Sequence, residues 1–160
     1  MKRRSFEDMN CSVAQALEIV GEWWTLLILR DAFVGIRRFD DFQARLGISR
    51  NVLTPRLDAL VDHGVLRRVQ YSERPPRDEY RLTDKGRALW TVLNALREWG
   101  DEWVVGADNA SVVLVHDDHR CTTEPHCAEC GHKLGMRDVH LEQGPGADAT
   151  TVLAGRDQSR

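Results

Sequence analysis

Residues 38–81, RFDDFQARLGISRNVLTPRLDALVDHGVLRRVQYSERPPRDEYR, decide the fold of this chain. Phe39, Phe42 and Leu46 recur at three- and four-residue spacing, which places them on one face of an α-helix. Gly47 follows, where a residue without a Cβ can adopt the left-handed conformation of a sharp turn. Ile48 is predicted to fill the angle between this helix and the next one.

A second helix is predicted after Ser49, which is a favoured helix-capping residue. Its apolar stripe packs on the first helix and comprises Leu53, Leu57, Leu60 and Val61. The residues left facing outward are Arg50, Asn51, Thr54 and Asp58. Polar tips of this kind match the donors and acceptors of the DNA major groove. Pro55 is a complication, because a proline inside a helix predicts either a late start or a bend.

The pattern then changes to alternation, which predicts a strand from Val65 to Tyr71 and a returning strand over residues 79–83. The loop between them holds two prolines flanked by Arg74 and Arg77, whose guanidinium groups can straddle phosphates or enter a minor groove. The stretch as a whole therefore predicts a winged helix-turn-helix, mainly α with a small β-hairpin. The alternative is a plain packing unit with a solvated hairpin.

Charge is unevenly distributed along the 160 residues, whose net charge is −3. Residues 36–81 hold ten arginines against seven acidic residues, whereas residues 108–160 hold five basic against nine acidic residues. A basic patch on a net-acidic molecule favours localised binding to phosphate over general coating of nucleic acid. No apolar run suits a membrane span or a signal peptide, so we expect a cytoplasmic protein.

Two further helices are predicted on either side of this stretch. The first begins after Cys11 with Ser12 as its cap. Its apolar residues recur at helical spacing as far as Ile28, which predicts one continuous helix. Cys11 at this helix start is a candidate reactive thiol, although a role as a small buried hydrophobic residue is the alternative. The closing helix begins at Thr83-Asp84, and its apolar residues are Leu89, Val92, Leu93, Leu96, Trp99 and Trp103. Its apolar surplus predicts a symmetric interface, or else packing on its own domain.

Several linked motifs agree in order and spacing over residues 11–103: the cysteine before the first helix, WTLLILRD, RF-x-x-F, L-x-x-x-L and PPR-x-EY-x-LT. Together they resemble the HxlR-type winged helix-turn-helix regulators of bacteria. The resemblance implies a homodimeric transcription regulator that binds double-stranded DNA and dimerises through its first and closing helices. In some relatives the cysteine that corresponds to Cys11 senses electrophiles or oxidants.

The predicted DNA contacts follow from these positions. Base readers are expected on the second helix, the wing is expected to reach a flanking minor groove or the backbone, and the two arginines before the first helix are expected to contact phosphate. The full set is Arg37, Arg38, Ser49, Arg50, Asn51, Thr54, Arg56, Arg74 and Arg77. A crevice between the dimer helices, lined by Trp23, Trp24 or Trp99, is a candidate site for a small-molecule effector.

The C-terminal third forms a separate pattern, so the predicted organisation is a DNA-binding and dimerisation domain at 1–107, a small Cys/His-rich module at 108–142 and a flexible tail at 143–160. Cys127-x-x-Cys130 followed by glycine is typical of a zinc knuckle. One structural zinc ion is therefore predicted on Cys121, Cys127 and Cys130 with His116 or His119. A redox-active Cys127/Cys130 pair and free thiols are the alternatives.

Two rival functions remain from the sequence. One is a winged-helix module that binds protein instead of DNA. The other is a thiol enzyme using Cys127 and Cys130, but no catalytic triad, phosphate loop or paired carboxylate supports catalysis. The sequence therefore predicts a DNA-binding regulator and not an enzyme.

Overall fold

The computed structural model describes residues 5–151, and within them the fold is mainly α with a small antiparallel hairpin. In chain order the larger elements are α1 (Ser12–Val20), α2 (Trp23–Phe33), α3 (Phe39–Leu46), α4 (Arg50–Asp62), β1 (Leu66–Glu73), β2 (Pro76–Leu82), α5 (Asp84–Ala88) and α6 (Trp90–Gly100). A π-helical turn (Asp101–Val105), a 3-10 turn (Ala107–Asn109) and a hairpin of β3 (Val115–His116) with β4 (His119–Arg120) follow. Residues 152–160 of the predicted tail lie outside the described residues.

The core lies where α2, α3, α4 and the β1–β2 hairpin meet. Its most deeply buried apolar side chains, at most 1% exposed, are Ile28, Leu29, Phe42, Leu53, Leu57, Leu60, Val65 and Leu66. Both predicted apolar stripes contribute to it, and Ile48 is buried between the two helices as expected. Burial of each large aliphatic or aromatic side chain stabilises the fold by about 1.5–3 kcal/mol.

Gly47 makes the turn between α3 and α4. Its φ of +64° lies in the left-handed region, and its N–H donates to the carbonyl of Gln43 at 2.9 Å. A side chain with a Cβ would be strained there, because L-residues other than glycine rarely adopt that conformation. The predicted glycine turn is therefore confirmed.

The expected continuous first helix is wrong, because the chain bends by 76° between α1 and α2. Gly21 ends α1, and Glu22 has the extended backbone of an N-cap residue, with φ −81° and ψ 136°. The bend lets both Val20 and Ile28 reach the core. The N-cap residue of α1 is Cys11, not Ser12, which is already helical.

The closing helix is likewise divided, at Leu89, into α5 and α6. Its predicted start is confirmed, because the Thr83 hydroxyl oxygen accepts a hydrogen bond from the N–H of Gly86 at 3.1 Å. Trp103 lies beyond α6 in the π-helical turn.

Between residues 5 and 151, no single helix is long and apolar enough to cross a bilayer. Only α1 and α2 taken together reach that length and composition, across their bend.

Gly86 and Gly100 offer a matched test of packing. A Cβ at Gly86 would lie 2.2 Å from the backbone oxygen of Val65, whereas nothing lies within 4 Å of a Cβ at Gly100. We expect Gly86→Ala to lower the free energy of unfolding by about 1–3 kcal/mol. Gly100→Ala, within helical backbone, should be neutral or stabilise by up to about 1 kcal/mol. Urea unfolding at matched protein concentration measures both, and equal midpoints would contradict the close approach at Gly86.

Candidate nucleic-acid interface

Helix α4 begins at Arg50, so the late start that Pro55 suggested is wrong. Pro55 lies inside the helix, where its missing N–H affects only the bond to the carbonyl of Asn51. Arg50 and Asn51 therefore belong to the first helical turn. Ser49 is the N-cap residue by its extended backbone, but its side chain makes no capping hydrogen bond, which corrects its predicted role.

The outward face of α4 carries Arg50, Asn51 and Thr54, all exposed, opposite the buried leucines. The Arg50 guanidinium lies 4.4 Å from the centroid of the Phe39 ring and 3.6 Å from Oδ1 of Asp40. Its side chain is nevertheless 67% exposed. These contacts hold Arg50 at the junction of α3 and α4 while leaving its donors accessible.

Arg56 does not belong to this face, which corrects the prediction that it reads bases. Its Nη2 donates to Oε2 of Glu22 at 3.0 Å, and both side chains are about one-third exposed. The reason is helical geometry, because Arg56 is three residues after Leu53 and four before Leu60 and therefore borders the core side. Its Nε is buried without a hydrogen-bond partner among the described residues. Arg56 therefore ties α4 to the start of α2.

An ion pair joins α4 to the β1–β2 hairpin, and the sequence analysis did not predict it. Arg68 of β1 donates from Nη2 to Oδ1 of Asp58 on α4, and its guanidinium carbon lies 5.8 Å from the centroid of the Tyr80 ring. Burial raises the pKa of the Tyr80 hydroxyl, so this group remains neutral near pH 7. The sequence gives no sign of this pair, because Asp58 and Arg68 are ten residues apart and meet only through the turn after α4.

The wing is longer than predicted. β1 and β2 pair from Leu66 with Leu82 to Glu73 with Pro76, with an irregularity between Gln70 and Ser72. The returning strand therefore starts at Pro76, where a missing N–H is tolerated at the strand end, and not at Glu79. Arg77 consequently lies in β2 opposite Ser72, and the tip itself consists of Arg74 and Pro75.

Exposed arginines surround this helix and wing. Within residues 5–151, five of them have no acidic partner: Arg37, Arg38, Arg67, Arg74 and Arg77. The carbonyl of Arg37 accepts from the N–H of Tyr80 at 2.7 Å, which places Arg37 beside the wing. Arg38 lies 4.7 Å over the Tyr71 ring. Arg67 was not among the predicted contacts, although its exposed position in the alternating strand was a usable signal.

The C-terminal cysteines and histidines are only partly brought together. His116 and His119 meet edge to face at the β3–β4 hairpin, with ring centroids 5.8 Å apart. Cys121 follows, and its N–H donates to the carbonyl of Leu114 at 3.0 Å. In the described part of the chain no three His, Cys, Asp or Glu side chains are grouped to hold a metal. The zinc site stays a prediction, and so does sensing by Cys11, which is exposed at the start of α1.

Strand pairing in the C-terminal hairpin begins only at Val115. Residues 111–114 instead close a cavity of about 440 Å³ between α2 and α6. Its walls include Leu26, Phe33, Trp90, Leu93 and Arg97. The expected crevice tryptophans are not among them. Trp23 is 87% exposed, Trp99 is 58% exposed, and Trp24 packs against the core.

Comparison with known proteins shows similarity to helix-turn-helix regulators. Residues 19–108 match the sequence model described as HxlR-like helix-turn-helix. An HTH-type transcriptional regulator of Mycobacterium tuberculosis is 46% identical over 142 residues, which cover 86% of this chain and 89% of the relative. The crystal structure of PA1607, a transcription factor, has a TM-score of 0.78 at 38% identity and covers 88% of this chain and 100% of its own. The oxidised redox regulator HypR has a TM-score of 0.53 at 32% identity, covering 57% and 95%.

Alanine substitution of Asn51 and of Arg77 should impair DNA binding in different ways. Asn51→Ala should reduce discrimination at one base pair by about 1–3 kcal/mol, because an amide can pair with a base edge. Arg77→Ala should weaken binding to every sequence and lower the salt slope by about one, because an arginine on phosphate releases counterions. Fluorescence anisotropy at several salt concentrations, on a selected site and on scrambled DNA, measures both. Equal losses on the two DNAs for both variants would contradict this division.

Proposed function

Because this chain belongs to the HxlR-like helix-turn-helix family of transcriptional regulators, we propose that it binds a two-fold symmetric operator as a homodimer. The single observation that carries the proposal is the exposed Arg50, Asn51 and Thr54 face beside a wing whose Arg74 and Arg77 have no acidic partner in the described part of the chain. Each α4 would enter a major groove, and two grooves one helical turn apart suit a two-fold dimer. The proposed site of action is chromosomal DNA in the cytoplasm. The family consists of regulators and not of enzymes.

The residues of the interface divide by chemistry. Asn51 and Thr54 carry amide and hydroxyl groups suited to base edges, whereas Arg37, Arg74 and Arg77 carry charges suited to phosphates. Arg67 belongs with the arginines suited to phosphates, because it is exposed on the wing without an acidic partner in residues 5–151. The rival, a module that binds protein, has less support, because it does not explain a group of uncompensated arginines around one helix.

Two exposed apolar faces support dimerisation. On α6, Val92, Leu96 and Trp99 are between 48% and 58% exposed, and on α1, Val13 and Leu17 are 67% and 42% exposed. Apolar side chains at three- and four-residue spacing form a stripe along a helix, and a stripe of this kind is suited to packing on a second copy. Burial of Trp99 in particular would supply a large part of the interface energy.

The cavity between α2 and α6 supports control by a small apolar effector. It lies on the side of α6 that carries Leu93 and Arg97, whereas Val92 and Trp99 are not part of its lining and Leu96 borders both surfaces. Arg97 already donates to Oδ2 of Asp101 at 2.7 Å and to Oδ1 of Asn94 at 3.0 Å. Since this wall charge is compensated, an uncharged aromatic or aliphatic molecule suits the cavity best.

Selection of bound fragments from random-sequence DNA tests the proposal. We expect enrichment of an inverted repeat whose half-sites lie about one helical turn apart. Enrichment of no sequence, together with no mobility shift on genomic fragments, would favour the protein-binding module. Enrichment of a single half-site would contradict the homodimer while retaining DNA binding.

Trp99→Glu should disrupt dimerisation, because it places a charge in the proposed interface. We expect the dimer dissociation constant to rise about 30-fold or more, as for the loss of about 2 kcal/mol from a central aromatic contact. Sedimentation equilibrium measures it, and operator affinity should fall in parallel. Leu141→Glu is the control, because Leu141 is 82% exposed outside both faces. Unchanged association in Trp99→Glu would rule out this face.

A neutral fluorescent probe tests the cavity. We expect N-phenyl-1-naphthylamine to brighten on the wild-type dimer and to lose most of this signal with Val113→Trp, which fills the cavity from the segment that closes it. Val115→Trp, two residues away and not part of the lining, should bind the probe normally. The same signal in wild type and both variants would place the probe elsewhere.

A further inference from the structure

The backbone around Arg38 is fixed against both the wing and α3. The carbonyl of Arg37 accepts from the N–H of Tyr80 on β2 at 2.7 Å, and the carbonyl of Arg38 accepts from the N–H of Phe42 in α3 at 3.1 Å. Arg38 is the N-cap residue of α3, with a φ of −93° and a ψ of 146°, but its side chain makes no capping hydrogen bond. The backbone is therefore positioned, and another contact must set the direction of the Arg38 guanidinium.

Tyr71 of the wing supplies that contact. The guanidinium carbon of Arg38 lies 4.7 Å from the centroid of the Tyr71 ring. The register of β1 and β2 shifts between Gln70 and Ser72, so Tyr71 has no residue opposite it on β2. An extra residue in one strand disrupts the ladder locally and re-aims a side chain. The irregularity of the wing thus coincides with the residue whose ring meets Arg38.

A ring under a guanidinium orients it without occupying its donors. The N–H groups lie in the guanidinium plane, so a group stacked on an aromatic face keeps them available for another partner. The ion pair of Arg56 with Glu22 does the opposite, because it uses a donor and balances the charge. Arg38 is exposed and has no acidic partner within residues 5–151, and Tyr71 is 40% exposed. The stack therefore restricts a long side chain at the surface while its charge stays uncompensated, which reduces the entropy lost on binding.

A second pair of this kind shows the difference that an acidic neighbour makes. The Arg50 guanidinium lies 4.4 Å from the centroid of the Phe39 ring, but Oδ1 of Asp40 is also 3.6 Å from Arg50. The charge of Arg50 is therefore partly balanced, whereas that of Arg38 is not. Of the two arginines held by rings at the starts of α3 and α4, Arg38 is the better suited to a phosphate.

We infer that Tyr71 is a positioning residue for DNA binding, which holds the Arg38 guanidinium where it can grip one backbone phosphate between the wing and the start of α3. The inference rests on the proposed function and deepens it, because it adds a residue that acts through Arg38 and does not itself contact the duplex. A guanidinium presented edge-on can donate two parallel hydrogen bonds to one phosphate. A dimer makes this contact once in each half-site.

A double-mutant cycle on the full-length protein tests the inference, with fluorescence anisotropy on the selected operator at several salt concentrations. Arg38→Ala should lower the affinity about 5–10-fold per half-site and reduce the salt slope by about one per half-site, because a phosphate contact is lost. Tyr71→Leu should lower the affinity about 2–5-fold per half-site, which is the effect of losing one exposed cation–π contact. The double variant should bind as weakly as Arg38→Ala alone, because Tyr71 has no effect without Arg38.

Two further variants serve as controls. Tyr71→Phe keeps the ring and should bind within about twofold of wild type, because the stack does not need the hydroxyl. Arg67 lies on the same strand, four residues or about 13 Å from Tyr71. The losses of Arg67→Ala and Tyr71→Leu should therefore multiply when combined, as for independent sites. Urea unfolding of every variant verifies that the fold is intact.

Three results would overturn the inference. The first is wild-type operator affinity in Tyr71→Leu. The second is a further loss when Tyr71→Leu is added to Arg38→Ala, which would mean that Tyr71 contacts DNA or supports the rest of the wing. The third is equal weakness of Tyr71→Phe and Tyr71→Leu, which would assign the contact to the hydroxyl. Wild-type binding to the operator is measured in the same series, so its absence would count against the proposed function, whereas tight wild-type binding with any of the three results counts against Tyr71 alone.

Discussion

The structure depends on the packing of the α4 leucines against α2 and α3. Leu53, Leu57 and Leu60 are removed from water almost completely, and they meet Phe42 and Ile28, which are fully buried. Because these three leucines occupy one side of the helix, the opposite side must face solvent. The DNA-facing surface therefore follows from burial of apolar surface behind it, and the turn at Gly47 sets the angle at which it is presented.

Ion pairs on either side of α4 add to this packing. Arg56 reaches back to Glu22 at the start of α2, and Asp58 reaches across to Arg68 on the wing. Each pair is partly exposed, so each contributes modestly to stability. Their larger effect is geometrical, because together they restrict rotation of the helix about its own axis and fix the position of the hairpin relative to it.

Local patterns predicted the features that depend on local physics. The apolar stripes, the turn at Gly47 and the cap at Thr83 were all readable, since spacing and backbone preference act within a few residues. The bend after Gly21 was not, because the apolar pattern continues through it and only packing of Val20 and Ile28 on one core requires it. The role of Arg56 was missed for a related reason, because its partner lies 34 residues away. Cys127 and Cys130 have the spacing of a zinc knuckle, but spacing alone does not show which side chains come together to bind a metal ion.

The contact between Asp58 and Arg68 limits how this regulator can be re-engineered. An acidic residue on a recognition helix repels the duplex unless a cation compensates it, and here the compensating charge comes from a different structural element. A designer who grafts a relative's α4 to obtain a new operator preference therefore inherits a charge-matching problem with the hairpin. The unit that can be exchanged between homologues is helix plus first wing strand, and not the helix alone.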